Sequence, residues 1–375
     1  MKIAITTTTI FSLEPFLESY TENIDTWNHK KDVTIYIAGD RKSPQDSGDI
    51  SKKYINRGFN IRYLDIDWQK KYLDRFPELK EIIPENSDNR RNVAYLIALD
   101  EGADVVISVD DDNFPILNQD FISEHLNVGK LTELPDATGS DGWFNLCSLL
   151  TPKQPDENLY PRGFPYKFRK DGSNIIGEAS SGKIAVNVGL WTLDPDTDAI
   201  GRLYAHPHIL DWKKQNVFLG KKIRCPINTQ NTALSRDAML AYYYVNMGDS
   251  LKGMKLDRFG DIFSGYFLQV CVESVGERIR IGSPIAEHRR NKHNLFIDLY
   301  NELAGIMLTE DLADFLTNVK LPSTSYYDAY TSLSIQLEDF SNMQDGFIWE
   351  NSTKEFFRKT AKNMRIWADV VQMVK

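Results

Sequence analysis

The sequence predicts an α/β protein with a mainly parallel central sheet and a helical C-terminal extension. Three observations carry that reading. Strand and helix patterns alternate through the first third of the chain, an apolar strand "DVVISV" runs straight into three aspartates, and the pattern turns helical from about Leu295 onward.

In order, "KIAITTTTI" reads as a first strand and "EPFLESYTENIDTW" as a helix. "DVTIYIAGD" is a second strand ending in the turn pair Gly39-Asp40, and "FNIRYLDI" a third. "SDNRRNVAYLIALDEGA" follows with Ser87 as N-cap, Val93, Leu96 and Ile97 at helical spacing, and Gly102 as C-cap. "DVVISV" is the next strand. Residues 140–235 are rich in Gly, Pro, Asn and aromatics and read as loops and short strands. Beyond them, "LFIDLYNELAGIML" leads into "TEDLADFLTNV", a helix capped by Thr309 and stopped before Pro322. A last helix starts at Ser352 and places Phe356, Ala361, Met364, Trp367 and Val371 on one side. This tail is expected to pack on the core or on a second subunit, the latter giving a homo-oligomer through the C-terminal helices.

Composition narrows the function classes. The chain has 375 residues, with 44 basic against 53 acidic side chains and a net charge of -9, so nucleic acid is not an expected partner. Cys147, Cys225 and Cys271 form no CxxC pair, which argues against a zinc site or a disulfide framework and for a reducing cytoplasm. The N-terminus reads as a strand and not as a signal peptide, and no run of about 18 apolar residues occurs, so no transmembrane segment is expected. Any membrane role would be that of a peripheral visitor.

The run Asp110-Asp111-Asp112 poses a physical problem, because burying even one unpaired carboxylate costs several kcal/mol. Water, basic side chains or a divalent cation can each compensate. Asp110 and Asp112 suit Mg²⁺ or Mn²⁺ held jointly with a nucleotide diphosphate, and in an extended segment Asp111 points the opposite way. A solvated acidic turn is the plainer alternative. Arg91 and Asn92 open the preceding helix, where a guanidinium can pair with a diphosphate or with the acids. "EHRRNKH" offers His288 as a metal ligand and Arg289, Arg290 and Lys292 for phosphate oxygens, against a solvated basic loop. "HPH" at 206–208 lacks further ligands. "DRFGDIFSGYF" offers Asp257 and Asp261 as a base or a hydroxyl holder, against an acidic helix start. Trp143, Trp191, Phe164 and Tyr166 can stack on a base or sugar ring, although core packing is the commoner fate.

Taken in order, "ITTTTIFSLEPFLE", "AGD", Arg91 with Tyr95, "VISVDDDN", "RGFPYKFR", "GLWTLDPDTDA", "NTALSR", "RFGDIFSGY" and "HRRNKHNLF" resemble the reversibly glycosylated polypeptide family over roughly residues 1–295. The best-known activity of that family is UDP-arabinopyranose mutase, and its fold is of the glycosyltransferase A type (GT-A). The resemblance implies a catalytic unit at 1–295 with the helical extension at 296–375, and a UDP-sugar donor with Mn²⁺ or Mg²⁺ as cofactor. It implies that Thr6, Thr7, Asp40, Arg91, Asp110, Asp111 and Arg289 bind the nucleotide sugar. Asp110, Asp112 and His288 would hold the metal. Arg162, matching the arginine of the family's RG(F/Y)P motif, and Asp261 would be catalytic. Two departures stand out: Gly260 replaces the first acid of a paired-Asp motif, and the segment before Asn231 reads "PINTQN". A metal-dependent glycosyltransferase acting on a carbohydrate or other hydroxyl acceptor in glycan assembly is the leading expectation. A UDP-sugar mutase and a non-catalytic binding protein are the alternatives, since a triple Asp serves the first half of either reaction.

Overall fold

The computed structural model describes residues 1–154, 159–169, 174–321 and 324–374. Its N-terminal half follows from alternation. Strand β1 (Ile3–Thr8) lies parallel between β2 (Val33–Ala38) and β4 (Val105–Val109), with β3 (Asn60–Leu64) outside β2. Successive side chains point to opposite faces, so Ile3, Ile5, Val105, Ile107 and Val109 enter one core and Ala4 and Val106 the other. Helices α1 (Glu14–Thr26) and α2 (Ser47–Ile55) serve the first face, where Phe16, Leu17, Tyr20 and Ile24 are buried. Helices α3 (Ile66–Leu73), α4 (Pro77–Ile82) and α5 (Arg91–Asp100) connect β3 to β4. Ser87 caps a short 3₁₀ turn, Asp88–Arg90, ahead of α5, and Gly102 leaves α5 at φ +86°.

After β4 the chain forms β5 (Asn113–Pro115), α6 (Phe121–His125), β6 (Leu131–Thr138), β7 (Leu150–Pro152) and the long β8 (Ile175–Leu193). It continues through α7 (Ala199–Tyr204), β9 (Ile209–Trp212), β10 (Val217–Leu219), β11 (Asn231–Ser235), the hairpin β12 (Ser250–Leu251) and β13 (Met254–Lys255), α8 (Gly260–Ser274) and β14 (Arg278–His288). The sheet order is β3-β2-β1-β4-β11-β8-β6-β10-β14-β5. The parallel expectation is met from β3 to β4. β11 then enters antiparallel to β4, and the rest of the sheet is mixed because loops, not crossover helices, join most of its strands.

The tail consists of α9 (Leu295–Asn318), α10 (Tyr326–Met343) and α11 (Asn351–Val374). Thr309 does not cap a helix. It lies inside α9, its hydroxyl donating to the Gly305 carbonyl at 2.9 Å, and the cap is Asn294, whose side chain accepts from Phe296 and Ile297 N–H. Pro322 lies outside the described residues. Phe356, Ala361, Met364, Trp367 and Val371 are all buried, and Trp367 Nε1–H donates to Met239 O at 2.9 Å. The tail thus shares the larger core with α5, α8 and the sheet. Among the described residues no helix is long and apolar enough to cross a membrane.

Candidate functional site

The chain leaves the sheet at Val109, and the next residues turn at once: Asn113 N–H donates to Asp110 O at 3.1 Å. Because Asp111 and Asp112 sit in that turn, strand alternation does not apply to them. All three aspartates line one open cavity of about 490 Å³ at the carboxyl ends of β1, β2 and β4. Asp111 does not face away; it accepts from the Thr9 hydroxyl. Burial, then the charges of Asp112 and Asp110, push its carboxyl up to about 6, against that hydrogen bond.

Arg91 addresses the acids. Its guanidinium donates to Asp110 Oδ1 at 2.6 Å, to Ser108 Oγ at 3.0 Å and to Val109 O at 2.9 Å. Thr229 Oγ1 donates to Asp110 at 3.3 Å. Burial raises the Asp110 pKa, opposed chiefly by Arg91. His288, at the end of β14, hydrogen-bonds Asp194 O through Nδ1 at 2.5 Å and turns Nε2 toward Asp112 Oδ2 at 3.5 Å. Burial works against charge on both partners, yet their contact raises the imidazole and lowers the Asp112 carboxyl.

The donor set suits a hard cation in a restricted way. Among the described residues no group of three His, Cys, Asp or Glu side chains is arranged around one metal position, and Asp110 is turned to Arg91. Asp112 and His288 remain, the imidazole oriented by a carbonyl on its far nitrogen, as metal-binding histidines commonly are. Two protein ligands suffice where phosphate oxygens and water complete the shell.

Arg162, Arg258, Arg290 and Lys292 line the same cavity; Arg258 pairs with Glu302 at 2.8 Å and Arg290 with Asp298 at 3.1 Å. Arg162 is 6% exposed, and its guanidinium is bound on every side. Nε and Nη2 donate to Asp196 at 3.0 and 2.9 Å; Nη1 and Nη2 donate to Asp261 at 3.0 and 2.8 Å. Nη1 also donates to the carbonyl of Arg258, a non-glycine residue at φ +58°. These contacts use every N–H of the group. Each Asp261 oxygen accepts from Arg162, so Asp261 supports the arginine.

The glycine departure has a steric reason. A Cβ on Gly260 would lie 2.6 Å from Val245 O and 2.8 Å from Tyr244 Cε1, so no carboxylate fits there without a shift. Asp40 lines the cavity, but its oxygens accept backbone N–H groups of Arg41 and Ser87 at 2.7 and 2.9 Å. Three expected nucleotide contacts lie off the cavity. Thr6 and Thr7 are fully buried within β1, Thr6 bonded to Ile107 O, and Thr8 and Thr9 hold the strand end instead. Arg289 points away, paired with Glu287 at 2.6 Å and lying over the Phe114 ring; its neighbour Arg290 faces the cavity. Asp257 hydrogen-bonds the Arg258 N–H and lies off the cavity too. Trp143 and Phe164 pack edge to face in the core, and Trp191 is buried. Sequence reasoning did not single out Asp196, Thr229, Gln230, Tyr244 or Arg258, although "DPDTDA" and "PINTQN" contain three of them.

A sequence model described as reversibly glycosylated polypeptide matches residues 51–375. Over 215 residues the chain is 26% identical to a probable UDP-arabinopyranose mutase 2 of Solanum tuberosum, covering 56% of this chain and 52% of that protein. Over 189 residues it is 25% identical to UDP-arabinopyranose mutase 1 of Oryza sativa subsp. japonica, covering 48% and 47%. The chain thus spans about half the length of these curated relatives. A solved mannosyltransferase of Pyrobaculum calidifontis, in complex with GDP-Man and Mn²⁺, aligns with a TM-score of 0.41 at 10% identity, over 99% of this chain and 86% of that one. With its family match running from the second helix to the C-terminus, the chain belongs to the reversibly glycosylated polypeptide family.

Proposed function

We propose that this chain is a GT-A-type enzyme that binds a UDP-sugar in the described cavity and breaks its anomeric C–O bond with the aid of a divalent cation. One observation carries the reading: Asp110, Asp111 and Asp112, at the carboxyl end of β4 beside the parallel β1 and β2, share one cavity with His288 and the cations Arg258, Arg290 and Lys292. A diphosphate needs positive charge on its own oxygens and tolerates carboxylates only across a cation. Asp112 and His288 would hold Mn²⁺ or Mg²⁺, which when bound neutralises charge developing on the departing diphosphate. Arg290, Arg258 and Lys292 would take the phosphate oxygens, and Asp111, with Thr9, the ribose. Arg162, with every N–H donated to Asp196, Asp261 and the Arg258 carbonyl, is not placed as a nucleophile.

Transfer to an acceptor hydroxyl is the reaction proposed, supported by the two departures from the mutase-type motifs, at Gly260 and at 226–231. A second reading, ring interconversion on the same diphosphate, has one observation in its favour: both Asp261 oxygens already accept from Arg162, and a mutase needs no base for an acceptor hydroxyl. Incubation with Mn²⁺ and UDP-sugars without acceptor separates them. Slow hydrolysis or self-labelling is the expected result, and rapid pyranose–furanose exchange would establish the mutase.

A further inference from the structure

Gln230 is 6% exposed and lines the cavity, yet its side-chain oxygen is buried without a hydrogen-bond partner. Its neighbours are fully engaged. Asn228 donates to Asp196 at 2.7 Å, Thr229 donates to Asp110 at 3.3 Å, and Asn231 donates to Leu190 O and Pro284 O at 2.9 Å each. The Gln230 N–H donates to Asn228 Oδ1 at 3.2 Å, so the backbone is fixed while the amide head is unspent. An orphaned buried acceptor costs stability unless a ligand supplies the donor.

Sheet order says which part of a ligand reaches it. Thr8 and Thr9 leave β1, Asp40 follows β2, and the aspartates follow β4; β11 lies on the far side of β4 from β1. A nucleoside over β1 and β2 with its diphosphate over β4 puts the glycosyl group at the start of β11. Gln230 stands there, directly after Thr229, which donates to Asp110, and two residues after Asn228, which donates to Asp196.

We propose that Gln230 determines sugar specificity: its side-chain carbonyl accepts a hydrogen bond from one ring hydroxyl of the donor's glycosyl group. The inference rests on the UDP-sugar reading above. It deepens that reading by assigning a sugar contact to the "PINTQN" segment, where this chain departs from the family pattern. A site built to bond a hydroxyl rejects an analogue lacking it far more strongly than an apolar pocket does.

The test is calorimetric titration, with Mn²⁺, of wild type, Gln230→Leu and Gln230→Glu. The ligands are UDP, UDP-glucose, UDP-galactose and the 2-, 3- and 4-deoxy analogues of both sugars. Wild type should lose about tenfold or more in affinity for one deoxy analogue. Gln230→Leu should bind that analogue and its parent within about threefold of each other, with UDP affinity within about twofold of wild type. Gln230→Glu, which keeps the acceptor oxygens, should retain the discrimination even where it weakens both ligands. Unchanged discrimination in Gln230→Leu, none in wild type, or an equal loss for UDP alone would each overturn the assignment. Absence of UDP binding in wild type would instead remove the functional reading itself.

Discussion

Replacing Arg162 with methionine keeps most of the aliphatic stem and removes every N–H that Asp196 and Asp261 accept. These carboxylates are 3% and 4% exposed, so the variant buries two charges without their partner. Breaking a buried pair from one side costs about 3–5 kcal/mol, a large share of the ~5–15 kcal/mol that separates folded from unfolded protein. Guanidinium unfolding at pH 7 should show that loss, and Arg162→Met/Asp196→Asn/Asp261→Asn should recover most of it by removing the stranded charges. The pH dependence has a definite sign. Burial acts to raise the Asp196 carboxyl, but Arg162 and Asn228 hold it well below the usual range. A depressed folded pKa stabilises above the unfolded value of about 3.9 and loses that contribution as pH falls through the folded one. In Arg162→Met burial is opposed at Asp196 mainly by the Asn228 hydrogen bond, so that carboxyl neutralises at higher pH than in wild type, and the gap to wild type should narrow as pH falls toward about 4 and below. A penalty under about 1 kcal/mol at pH 7, or a gap constant down to pH 3.5, would refute the clamp.

Two further substitutions probe the supports of the site. Gly260→Ala places a Cβ against Val245 O and the Tyr244 ring and should cost about 1–3 kcal/mol while displacing Asp261; unfolding midpoints matching wild type would contradict the packing. Trp367→Ala empties a fully buried site and releases Met239 O, so about 3–5 kcal/mol should be lost in the same assay, whereas a loss below 1 kcal/mol would mean that α11 is not part of the core.

The β-α-β half was legible because its signal is local: Ile3, Ile5 and Ile107 alternate with residues facing the other core, and Gly102 marks a helix end. The position of the acidic run was legible for the same reason, an apolar strand needing a carboxyl end. Its orientation was not, since extending β4 by one residue would reverse Asp111, and the strand stops at Val109. Thr309 looked like a cap because threonine serves that role elsewhere; within α9 its hydroxyl bonds the preceding turn. The clamp on Arg162 was hidden in the long-range fold, its partners lying 34 and 99 residues away. Gln230 carries no periodic or spacing signal, and only its burial without a partner marks it.

The central claim is that Asp112 and His288 complete a cation site only together with a nucleoside diphosphate. Calorimetric titration of UDP, with and without Mn²⁺, into wild type, Asp112→Asn and His288→Ala tests it most directly. Mn²⁺ should tighten UDP binding to wild type by about tenfold or more and have no effect in either variant, with both variants still unfolding cooperatively. UDP binding of equal affinity with and without Mn²⁺, or a Mn²⁺ effect that survives both substitutions, would contradict it.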